Sequence, residues 1–342
     1  MKKRIVMILI FGFLPVLVLS LSLGRYTIDL SDVGRIVLSS LGITGFYTLP
    51  SPELHMIFWN IRVPRVILAF AVGSGLSIAG TVFQAMFKNP LAAPDILGVT
   101  AGSCFGAALA IMFFAATAWA VQANAFFWGV LAVSMAYLLA SKSRDRSSSV
   151  LIIAGIAVSS VFQAGLSILM YVANPYDQMS KIIFWIMGSF HTASWSKVEV
   201  TLPFVLLGSL LLTVFSWRLN IMTQDEEDAL CLGMNVSRWR IFYITTSTLM
   251  VASSVAAVGN VAWIGLIIPH IARYLVGSEH RRLVPVTGLV GGIFLLLMDT
   301  LARTLLLSEI PISIVTSIFG APFLGYLVMG RQGVGIGIKS CN

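Results

Sequence analysis

Long uncharged stretches alternate with short charged ones along the whole chain. Apolar runs near twenty residues fall at 5–23, 66–87, 96–114, 119–140, 150–172, 198–217, 241–258, 261–276, 286–307 and 312–329. About twenty helical residues cross the ~30 Å of a bilayer's hydrocarbon. The pattern therefore predicts an all-α polytopic membrane protein of about ten transmembrane helices, built as one transmembrane domain over 1–342. The eighth run is short, and Pro269 within it predicts a kink or break.

The stretch from Arg62 to Ser103 organises the rest. Two arginines, Arg62 and Arg65, precede a span thinned by Gly73, Gly75, Ser77, Ala79 and Gly80, as in helices that touch other helices in lipid. Lys88-Asn89-Pro90 ends it, and Pro90 and Pro94 keep a helix from resuming before Asp95. The result is a membrane hairpin with an irregular, polar tip. At the N-terminus, Lys2-Lys3-Arg4 leads into the first run. That run exceeds the 7–15 residues usual for a signal's apolar region and shows no small-x-small cleavage site, so it reads as a spanning helix. Residues 25–60 are polar and mixed, and predict an external segment with an amphipathic helix from Ser31 to Leu41.

Composition and charge sharpen this picture. Apolar residues make up 58% and charged residues 11%, against about 25% charged in soluble domains, which excludes a soluble class. The net charge of +8 belongs to loops rather than to a nucleic-acid partner. With the N-terminus inside, ten spans place fifteen of the 22 lysines and arginines on the inner side, in agreement with the positive-inside rule. Three widely spaced cysteines at 104, 231 and 341 imply no disulfide framework.

Chemistry has few places to sit. No HExxH, GxSxG or paired-cysteine motif is present, and GVGIGIKS at 333–340 lacks the Gly-Lys step and flanking elements of a phosphate loop. This chain is thus expected to bind no cofactor and no metal; if ATP drives it, ATP and Mg belong to a separate subunit. Its four histidines are dispersed, and His270, next to Pro269, is expected to satisfy a backbone carbonyl freed by the kink. Arg62, Arg65 and Arg303 must lie at an interface or be paired, because an arginine in hydrocarbon costs ~2.5–3.5 kcal/mol. Snorkelling explains each of them singly. Asp299 and Arg303 are four apart, a favourable helical pair. The polar interruption 218–240 predicts two short helices: Thr223 caps the second, Asp225 to Asp228 favour its dipole, and Gly233 stops it. A merely solvated loop is the alternative. Asn89 and Leu91 in one turn, and Ser147, Ser148 and Ser149 at the start of the fifth run, suit a constriction whose parts approach closely; simple Asn-Pro turn chemistry explains the turn equally well.

Several motifs occur together and in order: RVPR, GxxLSxAGxxxQxxxKNPLAxPxxLGVxxG, GLIIPHIAR at 265–273, HRRLVP at 280–285, MDTLAR at 298–303 and EIPISIVTSIFGAPF at 309–323. They resemble the permease family of bacterial cobalamin, iron-siderophore and heme importers, the membrane subunits of type II ABC importers, over roughly 60–330. The resemblance implies that family's fold, and import of an iron-siderophore, heme, cobalamin or related chelate across a bacterial or archaeal cytoplasmic membrane, with both termini cytoplasmic. The implied partners are a second permease subunit (a copy or a paralogue), two ATP-binding subunits, and a periplasmic or lipid-anchored binding protein. Arg62, Arg65 and Arg303 match the positions that receive the binding protein's acidic residues. Asn89, Leu91 and Ser147 to Ser149 match an inner gate. Asp225, Glu226, Glu227, Asp228, Ala229, Leu230, Leu232 and Gly233 fall in the coupling loop that docks on the ATPase. This chain departs from the family there, with Asp225 in place of a usual Gly and no basic residue near Leu230. A stand-alone secondary transporter or channel is the rival class. It would place paired ionisable residues mid-span, and these spans are nearly free of them, Asp299 excepted. An intramembrane enzyme lacks any visible nucleophile-base set.

Overall fold

The computed structural model describes residues 2–24, 26–43, 51–114, 117–143 and 148–331, and every regular element among them is helical. The first run forms α1 (Lys2–Ser22), which tolerates an internal Pro15. The amphipathic helix α2 (Leu30–Ser40) starts after Asp29 rather than at Ser31, and buries Val33 and Ile36 against Ile28 and Phe58. Next, α3 (Pro52–Ile57) runs through a π-helical turn, Phe58–Arg62, into α4 (Val63–Met86). The bundle continues with α5 (Val99–Phe113), α6 (Ala118–Ser141), α7 (Ser148–Val172), α8 (Gln178–Met187) and α9 (Trp195–Val214). After these come α10 (Ser216–Met222), α11 (Glu226–Cys231), α12 (Val236–Val258), α13 (Ile264–Val276), α14 (His280–Thr304) and α15 (Ile312–Arg331).

Among the described residues, six stretches are long and apolar enough to cross a membrane: Pro52–Met86, α6, α7, α9, α12 and α14. Shorter apolar helices at Phe11–Ser22, Val99–Phe113, Ile264–Val276 and Ile312–Tyr326 occupy the other four predicted runs. Burial separates centre from periphery. The apolar window ending in α4 is 89% buried and that of α12 72%, whereas α6 and α7 bury only 28%. Thus α4 and α12 form the centre, and α6 and α7 turn most of their surface outward.

Small residues let this centre close up. A Cβ placed on Gly73 would lie 2.4 Å from the Gly291 carbonyl oxygen, and one on Gly80 1.9 Å from that of Gly265. Ser74 donates to the Gly288 carbonyl at 2.8 Å. So α4 meets α14 and α13 backbone to backbone, the contact that small side chains make possible in lipid. The hairpin α5–α6 uses the same device at Gly102, whose Cβ would lie 2.4 Å from the Trp128 carbonyl oxygen.

The proline-rich tip folds back rather than hanging free. Residues Pro94–Leu97 form a 3₁₀ turn beside Gly155 of α7, where a Cβ would fall 2.1 Å from the Ile96 carbonyl oxygen. Gly98, at φ 86°, then reverses the chain into α5. The turn packs Pro94 and Leu97 into the protein and leaves Asp95 exposed. The expected break does not occur: α13 runs on through Pro269. The Leu266 carbonyl lies 2.9 Å from His270 Nδ1 and accepts from Gln84 Nε2 at 3.1 Å. Pro269 frees the carbonyl four residues back, that of Gly265, so His270 serves a neighbouring carbonyl rather than the freed one.

Gly80→Ala should cost at least the ~1–3 kcal/mol typical of overpacking, because a carbonyl rather than a flexible side chain must yield. Gly12→Ala, with open space around its Cβ, should be neutral. Thermal unfolding of the two purified variants in detergent checks the contrast.

Candidate functional site

The helices α4 and α14 run antiparallel, and each end of the pair carries a polar cluster. At one end, Arg65 donates through Nε and Nη2 to Asp299 at 2.9–3.1 Å. Its Nη1 and Nη2 donate to the two Glu309 oxygens at 3.0 Å each. Arg303 lies 3.6 Å from Asp299 in the i,i+4 pair that its spacing predicted, and donates to the carbonyl and hydroxyl of Ser20. Arg62 donates to the carbonyls of Leu23 and Tyr26. Two of the three guanidinium groups, those of Arg65 and Arg303, thus share two carboxylates, and Ser20 with the 23–26 segment supplies neutral acceptors for the excess charge.

The arginines converge as the resemblance implies, but they do not stand open on a rim. Arg62, Arg65 and Arg303 are 5%, 6% and 4% exposed and Asp299 is 1% exposed. A charge leaving water needs internal partners, and Arg62 and Arg65 find them through hydrogen bonds; Arg303 Nε, 3.6 Å from Asp299, makes no hydrogen bond of its own. Sequence reasoning missed Glu309, although it opens the motif EIPISIVTSIFGAPF. It also missed Ser20 and the 23–26 carbonyls, which carry no side-chain signature.

At the other end, Lys88 takes a left-handed backbone at φ 48° and pairs with Asp225 at 3.3 Å. The Asn89 side-chain oxygen accepts from the Leu91 amide at 2.9 Å, and Leu91 projects with 56% exposure. Ser148 donates to the Met86 carbonyl at 3.5 Å, so the start of α7 does meet the turn after α4. Ser149 is exposed; Ser147 lies outside the described residues, as do the tail 333–340 and Cys341.

The 218–240 loop forms the two short helices that the sequence predicts, α10 and α11, and Gly233 at φ 75° ends the second. Its cap differs. Thr223 closes α10 by donating to the Asn220 carbonyl at 2.8 Å, and Asp225 occupies the N-cap position of α11. The four acids Asp225, Glu226, Glu227 and Asp228 are exposed, Ala229 is buried, and Leu230 and Leu232 point outward. Asn220 anchors the loop to α14: its side chain accepts from the His280 amide at 3.0 Å and donates to Glu279 at 3.2 Å. Arg218 lies 3.9 Å over the Trp239 ring, a cation–π contact joining α10 to α12. That anchor was missed too; its signal was the tryptophan-arginine runs at 217–218 and 238–240.

Asp299→Ala should cost about 3–5 kcal/mol, because it leaves Arg65 and Arg303 buried without their shared carboxylate. Glu309→Ala should cost less, since the Glu309 side chain keeps 21% exposure. Unfolding of both variants in nanodiscs checks the order.

The FecCD transport family matches residues 8–330. The molybdate import system permease protein MolB of Haemophilus influenzae is 39% identical over 91% of this chain and 91% of its own. The hemin transport system permease protein HmuU of Yersinia pestis is 33% identical over 97% of this chain and 98% of its own. A solved structure described as an inward-facing conformation of a metal-chelate type ABC transporter superposes with a TM-score of 0.86. It is 36% identical and covers 96% of this chain and 99% of its own. Motifs, helix order and these likenesses agree: the chain is a multi-pass membrane protein of the FecCD transport family, a permease subunit of an ABC importer.

Proposed function

We propose that this permease pairs with a second permease subunit, works with two ATP-binding subunits and a substrate-binding protein, and moves a metal-containing solute into the cytoplasm. The relatives named above carry molybdate and hemin, and another, from Halobacterium salinarum, carries cobalamin. They favour a chelate or metal oxyanion as cargo. ATP and Mg act on the partner, and both termini of this chain face the cytoplasm of a bacterial or archaeal cell.

One observation carries the reading: the 218–240 loop is tied to the centre of the bundle from two sides. Lys88–Asp225 links α11 to the turn after α4, and Asn220 links α10 to the first turn of α14. A push on the exposed acids and on Leu230 and Leu232 is therefore delivered to α4 and α14 together. Asn89, Leu91 and the serines of the α7 start lie at that same end, where they close the inner gate. Docking of the binding protein takes place at the opposite end. Arg62 is the arginine most available to it: its acceptors are backbone carbonyls that a partner's carboxylate can displace, whereas Arg65 is committed to two carboxylates.

Reconstituted uptake should need the ATPase, the binding protein and ATP together; uptake by the permease alone would overturn the proposal. Replacing 224–234 with a Gly/Ser linker should leave the permease inserted but unable to retain its ATPase on purification. Arg62→Gln should weaken binding-protein affinity, increasingly so as salt is lowered, and spare ATPase assembly. Unchanged affinity would remove Arg62 from docking.

A further inference from the structure

A second charged group lies near the arginine end and takes no part in the clusters above. Lys197, in the first turn of α9, is 8% exposed. Its Nζ donates to Thr192 Oγ1 and to the Ala257 carbonyl, each at 2.7 Å. An ammonium has three donors, and both acceptors are neutral. Among the described residues no carboxylate lies within ion-pair distance of it.

Lys197 forms part of the wall of a cavity of about 780 Å³ between α8, the 188–192 segment, the start of α9 and the end of α12. That volume lies in the range of small-molecule sites. Ser180, Ser189 and Thr192 line it with hydroxyls. The other charges on the wall already have partners: Lys181 pairs with Asp177 at 2.6 Å and Glu309 with Arg65 at 3.0 Å. The cavity is thus lined by one buried cation without a counter-charge, a third N–H, and several hydroxyl donors.

We infer that this cavity is an anion site, in which Lys197 holds an oxyanion or the carboxylate of a chelate on the intake side of the bundle. Removing an ammonium from water costs several kcal/mol, and an anion beside it recovers much of that cost. A cationic solute is repelled there, and a neutral one gains hydrogen bonds without the charge compensation. The competing role for Lys197 is structural. Ala257 ends α12, and a cation at a helix C-terminus is favourable without any ligand. The inference deepens the importer reading, since it names the charge of the cargo.

The test uses the full-length permease in nanodiscs, titrated calorimetrically with molybdate as a tetrahedral oxyanion and with citrate as a carboxylate. At least one should bind, and which one does identifies the source of the anion. Lys197→Met should weaken it by about tenfold or more, the effect of deleting one partner of a buried charge pair. Lys197→Arg should retain binding, and Glu199→Gln, on the exposed side of the same turn, should leave it unchanged. Should Lys197→Met fail to fold, tungstate soaked into wild-type crystals should give an anomalous peak in contact with Nζ. Three results overturn the site: no titration by either anion, an unchanged titration in Lys197→Met, or a tungstate peak elsewhere. ATP-driven uptake by the assembled wild-type transporter is measured separately, so loss of the importer reading and loss of the anion site give different results.

Discussion

The backbone-level approach of α4 to α14 and α13 is the constraint on which the rest depends. In lipid, burying apolar side chains between helices yields little, since the tails are as apolar as leucine; close packing and interhelical hydrogen bonds must hold the bundle. Gly73 and Gly80 permit that packing, and Ser74 adds a hydrogen bond to it. Helices this close leave no room for a side chain to slip past another. The pair is about 36 Å long, from 24 residues of α4 at 1.5 Å each. It fixes the distance between the arginine cluster and the 218–240 loop, as well as their relative orientation.

Charge is arranged around this pair in two different ways. The arginine end is dry, with forked donors and carboxylates matched almost completely inside the protein. The loop end is wet: the Lys88–Asp225 pair leaves its side chains 43% and 90% exposed, and exposed pairs contribute little stability. The dry cluster ties α1, α4 and α14 together. The exposed pair links α11 to the turn after α4 and costs little to part.

Architecture was legible in the sequence, and side-chain partnership less so. Ten apolar runs, the proline-broken tip and the Asp299–Arg303 spacing all reflect local chemistry, and local chemistry is what periodicity records. The depth of the 3₁₀ turn was not legible, because it depends on Gly155 lying opposite Ile96 across sixty residues. The closure of the arginines was hidden for a similar reason. Their acceptors at Leu23, Tyr26 and Ser20 include backbone carbonyls, which every residue possesses and no pattern marks. Lys197 carries no sequence signal of burial; that burial follows from α9 packing against the end of α12.

The partners of Arg65 lie 234 and 244 residues further along the chain, and this bears on how the protein is made. When α4 leaves the ribosome, neither Asp299 nor Glu309 has been synthesised. The helix must enter the membrane with Arg62 and Arg65 at its start and without the carboxylates that Arg65 will bind. Each resists the hydrocarbon by ~2.5–3.5 kcal/mol, so α4 is held near the bilayer surface, its apolar body inserted and its charged end in the headgroups. Only when α14 arrives can that end be drawn in and closed under the tip of α1. A nascent chain stopped short of residue 299 therefore leaves Arg65 without either of its carboxylates. Maturation of the first half is completed by the last fifth.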